Sequence, residues 1–376
     1  MQKKKILFIH ESLNGGGAEK VFSDYMARFD FDRYDVTLLL LFGGGTHAES
    51  LPPSLKVITL YPGPHRGLRR LLWHYRLSRN AMLWRDALSA LGNKRFDVTV
   101  SFLEGPALLV HSMIMNRAPR NVSWVHVDLK VNHWSKWVFS SLEEERNIYR
   151  QLDEIAYVSE SARAAHRDLF GPTAPGRVTL NLVEPEIIRA RGSEPCPMRK
   201  KRVLTLCNVG RLSYQKKQAR LIDAVAILTE KYDIDVEAWL VGQGEDRKML
   251  ERRARDKRVA DRIVFCGYQK NPNTFISHSD IFVLTSETEG FALVVAEALC
   301  LGKPVISTAV TGPTELLAED SGILTGHSPE EIASAIHRMA TEPGLMEHYA
   351  RKAGERSAIF QPERTMREVY SFIEGN

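Results

Sequence analysis

"KILFIHESLNGGGAEKVF", Lys5–Phe22, runs an apolar stretch straight into three glycines and then into a helical pattern. Glycine permits φ > 0 and lets a backbone approach another molecule closely, so strand, glycine loop and helix in that order are what phosphate-cradling loops look like. A plain strand-to-helix turn uses the same residues, and one Gly-rich loop does not separate the two readings. The rest of the chain widens the choice into a pattern. "YDVTLLLL", "LKVITL", "FDVTVSF", "VSWVHV" and "EIAYVSE" follow "KILFIH" as short strands separated by longer helical stretches. The pattern restarts with "RVLTLCNVG", "VEAWLVG", "RIVFCG", "IFVLTS", "PVIST" and "GILT". Alternation of this kind predicts an α/β fold of two doubly wound, Rossmann-like domains with parallel sheets. Ligands of such sheets bind beyond the carboxyl ends of the strands, so the motifs are expected to face one cleft between the domains.

A chain of 376 residues exceeds what one hydrophobic core usually serves. "VEPEIIRARGSEPCPMRKKR", Val183–Arg202, is rich in proline and charge and has the composition of an interdomain linker. The predicted domains are 1–190 and 191–360, with a C-terminal helix over 361–376 able to pack back on the first. The net charge of +5 is carried by the first half, and it falls short of the basic stripe of a nucleic-acid binder. Cys196, Cys207, Cys266 and Cys300 show no C-x-x-C spacing and no neighbouring His pattern, which points to reduced thiols rather than zinc or disulfides. The apolar core of "MQKKKILFIHES" is too short for a signal peptide, and no run reaches membrane-spanning length, so a cytoplasmic protein is expected.

"GPHRGLRRLLWHYRLSRNAMLWRDAL" stands apart. Arg66, Arg69, Arg70, Arg76, Arg79 and Arg85 fall in a stretch without acids, Leu68, Leu71, Leu72 and Tyr75 share one helical face, and Trp73 and Trp84 suit a water–lipid boundary. That reads as an interfacial helix for an anionic membrane surface, with an ordinary surface helix that snorkels its arginines as the competing reading.

The most specific stretch is "TSETEGFALVVAEAL", Thr285–Leu299. A strand ends, a polar loop carries Glu287 and Glu289, Gly290 allows the turn, and an apolar helix beginning near Phe291 aims its first N–H groups back at the loop. Glu289 and Glu297 can flank one ligand, and a carboxylate is a natural acceptor for a vicinal diol. In "NVGRLSYQKKQARLIDA", Arg211 and Lys216 reach a loop before the helix at Arg220–Leu228, where a guanidinium fork and an ammonium can neutralise a diphosphate.

Glu289-x7-Glu297 around "EGFALV", Gly210-Arg211-Leu212 with Lys216, Gly16-Gly17-Ala18-Glu19 after the first strand, "WVHVD" around His126 and "NLVEPEII" together resemble the retaining glycosyltransferases of family 4, with the GT-B fold. The resemblance runs nearly end to end. It implies an N-terminal acceptor-side domain and a C-terminal domain that binds a nucleotide sugar. It implies that Arg211 and Lys216 hold the donor diphosphate and that Glu297 binds the ribose hydroxyls. Glu289, Gly290, Phe291, Ala292, Leu293 and Val294 would contact the transferred sugar and the β-phosphate, with Gly16 and Gly17 approaching that phosphate and His126 beside the sugar. Gly242, Gly244 and the backbone near Tyr268 would enclose the nucleobase. Asn181 matches an Asn that in the family usually precedes Gly but is followed here by Leu182, and Lys217 stands where the family often has Gly, two departures from its pattern.

The implied reaction moves a hexose or N-acetylhexosamine from a UDP-sugar to a lipid-linked glycan or glycolipid in cell-surface polysaccharide synthesis, without metal or other cofactor, at the inner face of the membrane. Catalytic roles fall to His126, Glu289, Arg211 and Lys216. The D-x-D pairs Asp30/Asp32 and Asp233/Asp235 precede strands, at the sheet end away from ligands, and read as turns. The alternatives are a GDP-sugar-dependent transferase, a non-catalytic sugar-nucleotide sensor, and a nicotinamide dehydrogenase whose G-x-G-x-x-G is missing from the first loop.

Overall fold

The computed structural model describes residues 2–62, 82–199 and 203–376. They form two compact units, Met1–Leu182 with Pro362–Asn376, and Val183–Gln361.

The first unit holds a seven-stranded, wholly parallel sheet in the order β3-β2-β1-β4-β5-β6-β7. Its strands are β1 (Lys4–His10), β2 (Tyr34–Phe42), β3 (Lys56–Tyr61), β4 (Val98–Ser101), β5 (Arg120–Val125), β6 (Glu154–Tyr157) and β7 (Gly176–Val178). β7 is absent from the sequence reading, because a three-residue edge strand leaves no periodic signal. Central strands read as unbroken apolar runs because both faces are covered: Ile6 to Ile9 are fully buried. Phe102, at the end of β4, sits with its ring between 5.1 and 6.3 Å from those of Phe8, Phe22 and Trp124.

The second unit repeats the plan with six parallel strands in the order β10-β9-β8-β11-β12-β13. They are β8 (Leu204–Val209), β9 (Val236–Val241), β10 (Ile263–Gly267), β11 (Ile281–Leu284), β12 (Val305–Thr308) and β13 (Ile323–Thr325). Its core packs Leu206, Ala238, Leu240 and Val283 against Leu221, Val225 and Ile336.

The division between units moves from the predicted 190/191 to Leu182/Val183. The stretch read as a linker contains a helix, Pro185–Gly192, that belongs to the second unit. Arg189 donates to the Cys300 carbonyl at 3.1 Å and to Ser357 Oγ at 3.2 Å, and a Cβ on Gly192 would fall 2.4 Å from the Leu301 side chain. Eight residues with one buried isoleucine are too few for a periodic signal, and the anchoring is done by an arginine. The chain returns to the first unit as the helix Pro362–Glu374, where Tyr370 stacks on Tyr34 at 5.4 Å and Arg120 donates to the Phe372 carbonyl at 2.7 Å.

The basic segment lies largely outside the described residues: Arg66, Arg69, Arg70, Trp73, Arg76 and Arg79 fall there. Trp84 belongs to the described helix Met82–Leu91. Among the described residues no helix is long and apolar enough to cross a membrane.

Candidate functional site

In each sheet the strand order reverses once, between β1 and β4 and between β8 and β11, the place beyond whose carboxyl strand ends ligands of such sheets bind. Gly16 and Gly17 follow β1, Arg211 and Lys216 follow β8 and Glu289 follows β11, at these two places, whereas His126 follows β5, Gly242 and Gly244 follow β9 and Tyr268 follows β10.

In the second unit, β8 runs into Gly210–Lys217 and β11 into Thr285–Ala292. Lys216 donates from Nζ to Glu289 Oε1 at 2.5 Å, and Ser286 Oγ donates to the same oxygen at 2.6 Å. The two loops are sewn together by the Glu287 N–H on the Gln215 carbonyl at 2.8 Å, Gln215 Nε2 on the Thr288 carbonyl at 3.0 Å and Thr285 Oγ1 on the Lys216 carbonyl at 3.0 Å. Arg220, on the helix Gln218–Lys231, bridges to Glu287 at 2.6 Å and to the Thr285 carbonyl at 3.1 Å. Glu289 is 8% exposed and Glu297 is 4% exposed, whereas Arg211 faces solvent. A cation held on a buried carboxylate, with an exposed guanidinium on the same loop, can exchange part of that pairing for an incoming anion.

Two backbone details depart from the sequence reading. The helix after Glu289 begins at Leu293 rather than near Phe291, with Ala292 as its N-cap, so Glu297 lies just over one turn in. The residue with φ > 0 is Ala292, at 63°, and not Gly290. Lys217 likewise takes φ 49° as the N-cap of its helix, the left-handed conformation that favours glycine. Its Nζ lies 3.2 Å from the centre of the Tyr214 ring. L-residues held in this conformation cost about 1–3 kcal/mol each and persist where surrounding contacts fix them.

Gly242 and Gly244 brace the same loop from β9. A Cβ on Gly242 would fall 2.0 Å from the Gly210 carbonyl oxygen, and one on Gly244 would fall 2.2 Å from that of Leu212. Tyr268, just past β10, is 52% exposed.

In the first unit, Gly16 is the N-cap and Gly17 the first residue of the helix Gly17–Arg28. Only Gly15 of the three glycines needs φ > 0, at 96°. A Cβ on Gly16 would fall 2.3 Å from the Glu19 carboxylate. The loop is braced by a second glycine run that the sequence reading passed over, Gly43–Gly45: a Cβ on Gly45 would fall 2.2 Å from the Leu13 carbonyl oxygen, and the His47 N–H donates to that carbonyl at 3.2 Å.

His126 follows β5, buried, with its ring 4.8 Å from that of Phe102. Burial drives its pKa down to about 3, with nearby His10 adding to the shift and the Phe102 carbonyl opposing it. The imidazole is therefore neutral. Nε2 is buried without a protein partner, and the ring lies against the Phe102 carbonyl. Glu104, after β4, was missed, although an acid between a strand end and a Gly-Pro helix start is a visible signal in "SFLEGPA". It is 1% exposed, accepts from the His126 N–H at 3.1 Å and from Trp134 Nε1 at 2.8 Å, and burial pushes its carboxyl above the usual range. Glu11 is pushed up to about 7 by burial, with Glu19 and Glu104 adding to it.

The D-x-D pairs have local roles. Asp30 Oδ1 accepts from the N–H groups of Asp32 and Arg33, both at 3.1 Å, and Asp235 pairs with Arg262 at 2.5 Å. Among the described residues no three His, Cys, Asp or Glu side chains are grouped to hold a metal.

The class defined by this architecture is GT-B. The protein of Anabaena named Alr3699/HepE, solved with UDP and glucose, superimposes with a TM-score of 0.79 over 99% of this chain and 100% of that one, at 21% identity. Residues 197–356 match the family described as "Glycosyl transferases group 1". The lipopolysaccharide core biosynthesis glycosyltransferase LpsD of Rhizobium meliloti is 30% identical over 43% of this chain and 46% of its own length. The chain thus spans about half the length of the curated relatives it matches at that level. The amylovoran biosynthesis glycosyltransferase AmsD of Erwinia amylovora is 23% identical over 97% of this chain and 98% of its own. These likenesses support a glycosyltransferase of the group 1 type.

Proposed function

We propose that the protein is a retaining, metal-independent glycosyltransferase of family 4 that moves a hexose or N-acetylhexosamine from a UDP-sugar to a lipid-linked glycan or glycolipid during cell-surface polysaccharide synthesis. The observation that carries this reading is the Lys216–Glu289 pair at the β8/β11 switch point, with Arg211 exposed on the same loop and Glu297 buried just beyond. Cation, carboxylate and helix start converge there on what a sugar diphosphate presents: two anionic phosphates beside polyols.

In this mechanism the bond from C1 of the sugar to the β-phosphate oxygen breaks, and an acceptor hydroxyl oxygen bonds to C1 from the same face. The hydroxyl proton passes to the departing phosphate. Arg211, Lys216 and the N–H groups opening the helix Leu293–Cys300 stabilise the charge that develops on that phosphate. Glu297 receives the ribose diol, Gly242, Gly244 and the chain near Tyr268 enclose the base, and Gly16, Gly17 and His126 serve phosphate and sugar from the first unit. The names borne by LpsD and AmsD support a surface glycan as the product class. The basic segment from Arg66 to Arg79 supports docking on an anionic membrane at its inner face.

Incubation with a panel of UDP- and GDP-sugars, scored by nucleotide release and by the anomeric configuration of the product, tests the reading. Release from a UDP-sugar with retained configuration is expected. Binding without release would assign a sensor, and turnover of GDP-sugars alone would overturn the donor.

A further inference from the structure

We propose that Glu104 is a positioning residue: its carboxylate, bonded to the His126 N–H and the Trp134 indole, fixes the loop after β5 so that the His126 ring is held beside the switch point of the first sheet. This rests on the reading of His126 as a site residue.

Glu104 projects from the loop after β4 and bonds two groups 22 and 30 residues further on, at 3.1 and 2.8 Å. Trp134 also lies over Gly105, where φ is 74° and a Cβ would fall 2.8 Å from the indole, so the ring occupies space that only glycine leaves. The far end of the same segment is tied by a second buried carboxylate. Glu145, on the helix Leu142–Arg150, accepts from Ser135 Oγ and faces His133 Nε2, each at 2.7 Å. His126 to Ser135 is thus pinned by two carboxyl groups withdrawn from water.

Stability alone does not call for this arrangement, because burying carboxylates is costly and apolar residues would fill the volume as well. What two directional acceptors supply is placement. With the His126 backbone fixed through its N–H and its ring packed 4.8 Å from that of Phe102, the direction of the buried, unpartnered Nε2 is set. A shift of about 1 Å in such a group can cost 10²-fold in rate.

The test compares wild type with Glu104→Gln, Trp134→Phe, His126→Ala and the Glu104→Gln/His126→Ala double variant. Release of UDP from UDP-sugars gives kcat and KM, calorimetry gives UDP affinity, and a melt gives Tm. Glu104→Gln is expected to lower kcat about 10- to 100-fold with UDP affinity within about 2-fold, and to add less than about 2-fold on the His126→Ala background. Trp134→Phe, which keeps an aromatic ring but loses the N–H donor and part of the ring's volume, should reproduce part of the kcat loss. Additive losses in the double variant, an unchanged kcat, or a UDP affinity falling in step with kcat would overturn the proposal. A spectrum of protein carrying ¹⁵N-histidine, assigned by the signals lost in His126→Ala, is independent of activity. The His126 amide and ring signals should move in Glu104→Gln, and their staying in place would refute the positioning role. Absence of donor turnover by wild type would instead count against the proposed function.

Discussion

The two sheets share one strand order, and their switch points carry opposite chemistry. At β8/β11 Lys216 and Arg220 pair with the carboxylates of Glu289 and Glu287, and Arg211 is an exposed residue on the same loop. At β1/β4 the loops bring Glu11, Glu19 and Glu104 into mutual range beside two buried, neutral histidines, His10 and His126. The backbone plan is the same, so the difference lies in a few side chains at strand ends. Topology says where a ligand goes and the side chains say what it can be.

The largest effect that would break this contrast concerns the cations. Lys216→Ala removes the partner of a buried carboxylate, and Arg211→Ala removes a guanidinium fork. Each should cost about 2–3 kcal/mol of transition-state stabilisation, roughly two orders of magnitude in kcat/KM for a UDP-sugar. Unchanged kcat/KM in both variants would detach the second switch point from donor chemistry.

A second prediction asks whether both loops are equally intolerant of bulk. Gly242→Ala places a methyl 2.0 Å from a carbonyl oxygen at φ 138°, and Gly45→Ala does so at 2.2 Å and φ 113°. Each should destabilise its own unit by about 2–4 kcal/mol, read as faster hydrogen exchange confined to that unit. Exchange that rises equally in both units would refute separate bracing.

The third sharpens the electrostatic difference through pH. Burial lowers His10, His126 and His166 to about 3 and His111 to about 4, all in the first unit. These folded values lie below the ordinary 6.5, so the neutral rings contribute stability that is present above pH 6.5 and is lost as pH falls toward about 3 to 4. Glu11, raised to about 7, acts in the opposite sense: its contribution is present below pH 4.5 and is lost as pH rises through 7. His47 is lowered as well and Glu104 and Glu145 are raised, so five histidines stand against three carboxyls and the first unit is expected to weaken on acidification. Hydrogen exchange at pH 7 and pH 5 should show it opening first, and simultaneous opening of both units would count against that ordering.

The smallest expected effect is none. With the diphosphate neutralised by Arg211, Lys216 and helix N–H groups, EDTA should leave turnover within about 2-fold. Loss of activity restored by Mn²⁺ or Mg²⁺ would return attention to Asp30 and Asp32.

The sequence by itself determined the alternation of strands and helices, the doubling of the domain and the residues that stand after β8 and β11. These are local: buried parallel strands need continuous apolar runs, and loop chemistry follows a strand by a fixed few residues. Glu289, Lys216 and Arg211 were legible for that reason. Tertiary structure alone decided which loops meet. The reversal of strand order sets β8 beside β11 and β1 beside β4, pairings between segments about 75 and 90 residues apart that no periodicity encodes. It decided that the helix at Pro185–Gly192 joins the second unit through Arg189, and that Pro362–Glu374 rejoins the first. It also put the left-handed turns on Lys217 and Ala292 rather than on glycines. Glu104 was hidden in the same way. An acid in "SFLEGPA" looks solvated until Trp134 and the N–H of His126 are folded onto it, and whether a carboxylate is surface or fulcrum depends on partners distant in the chain.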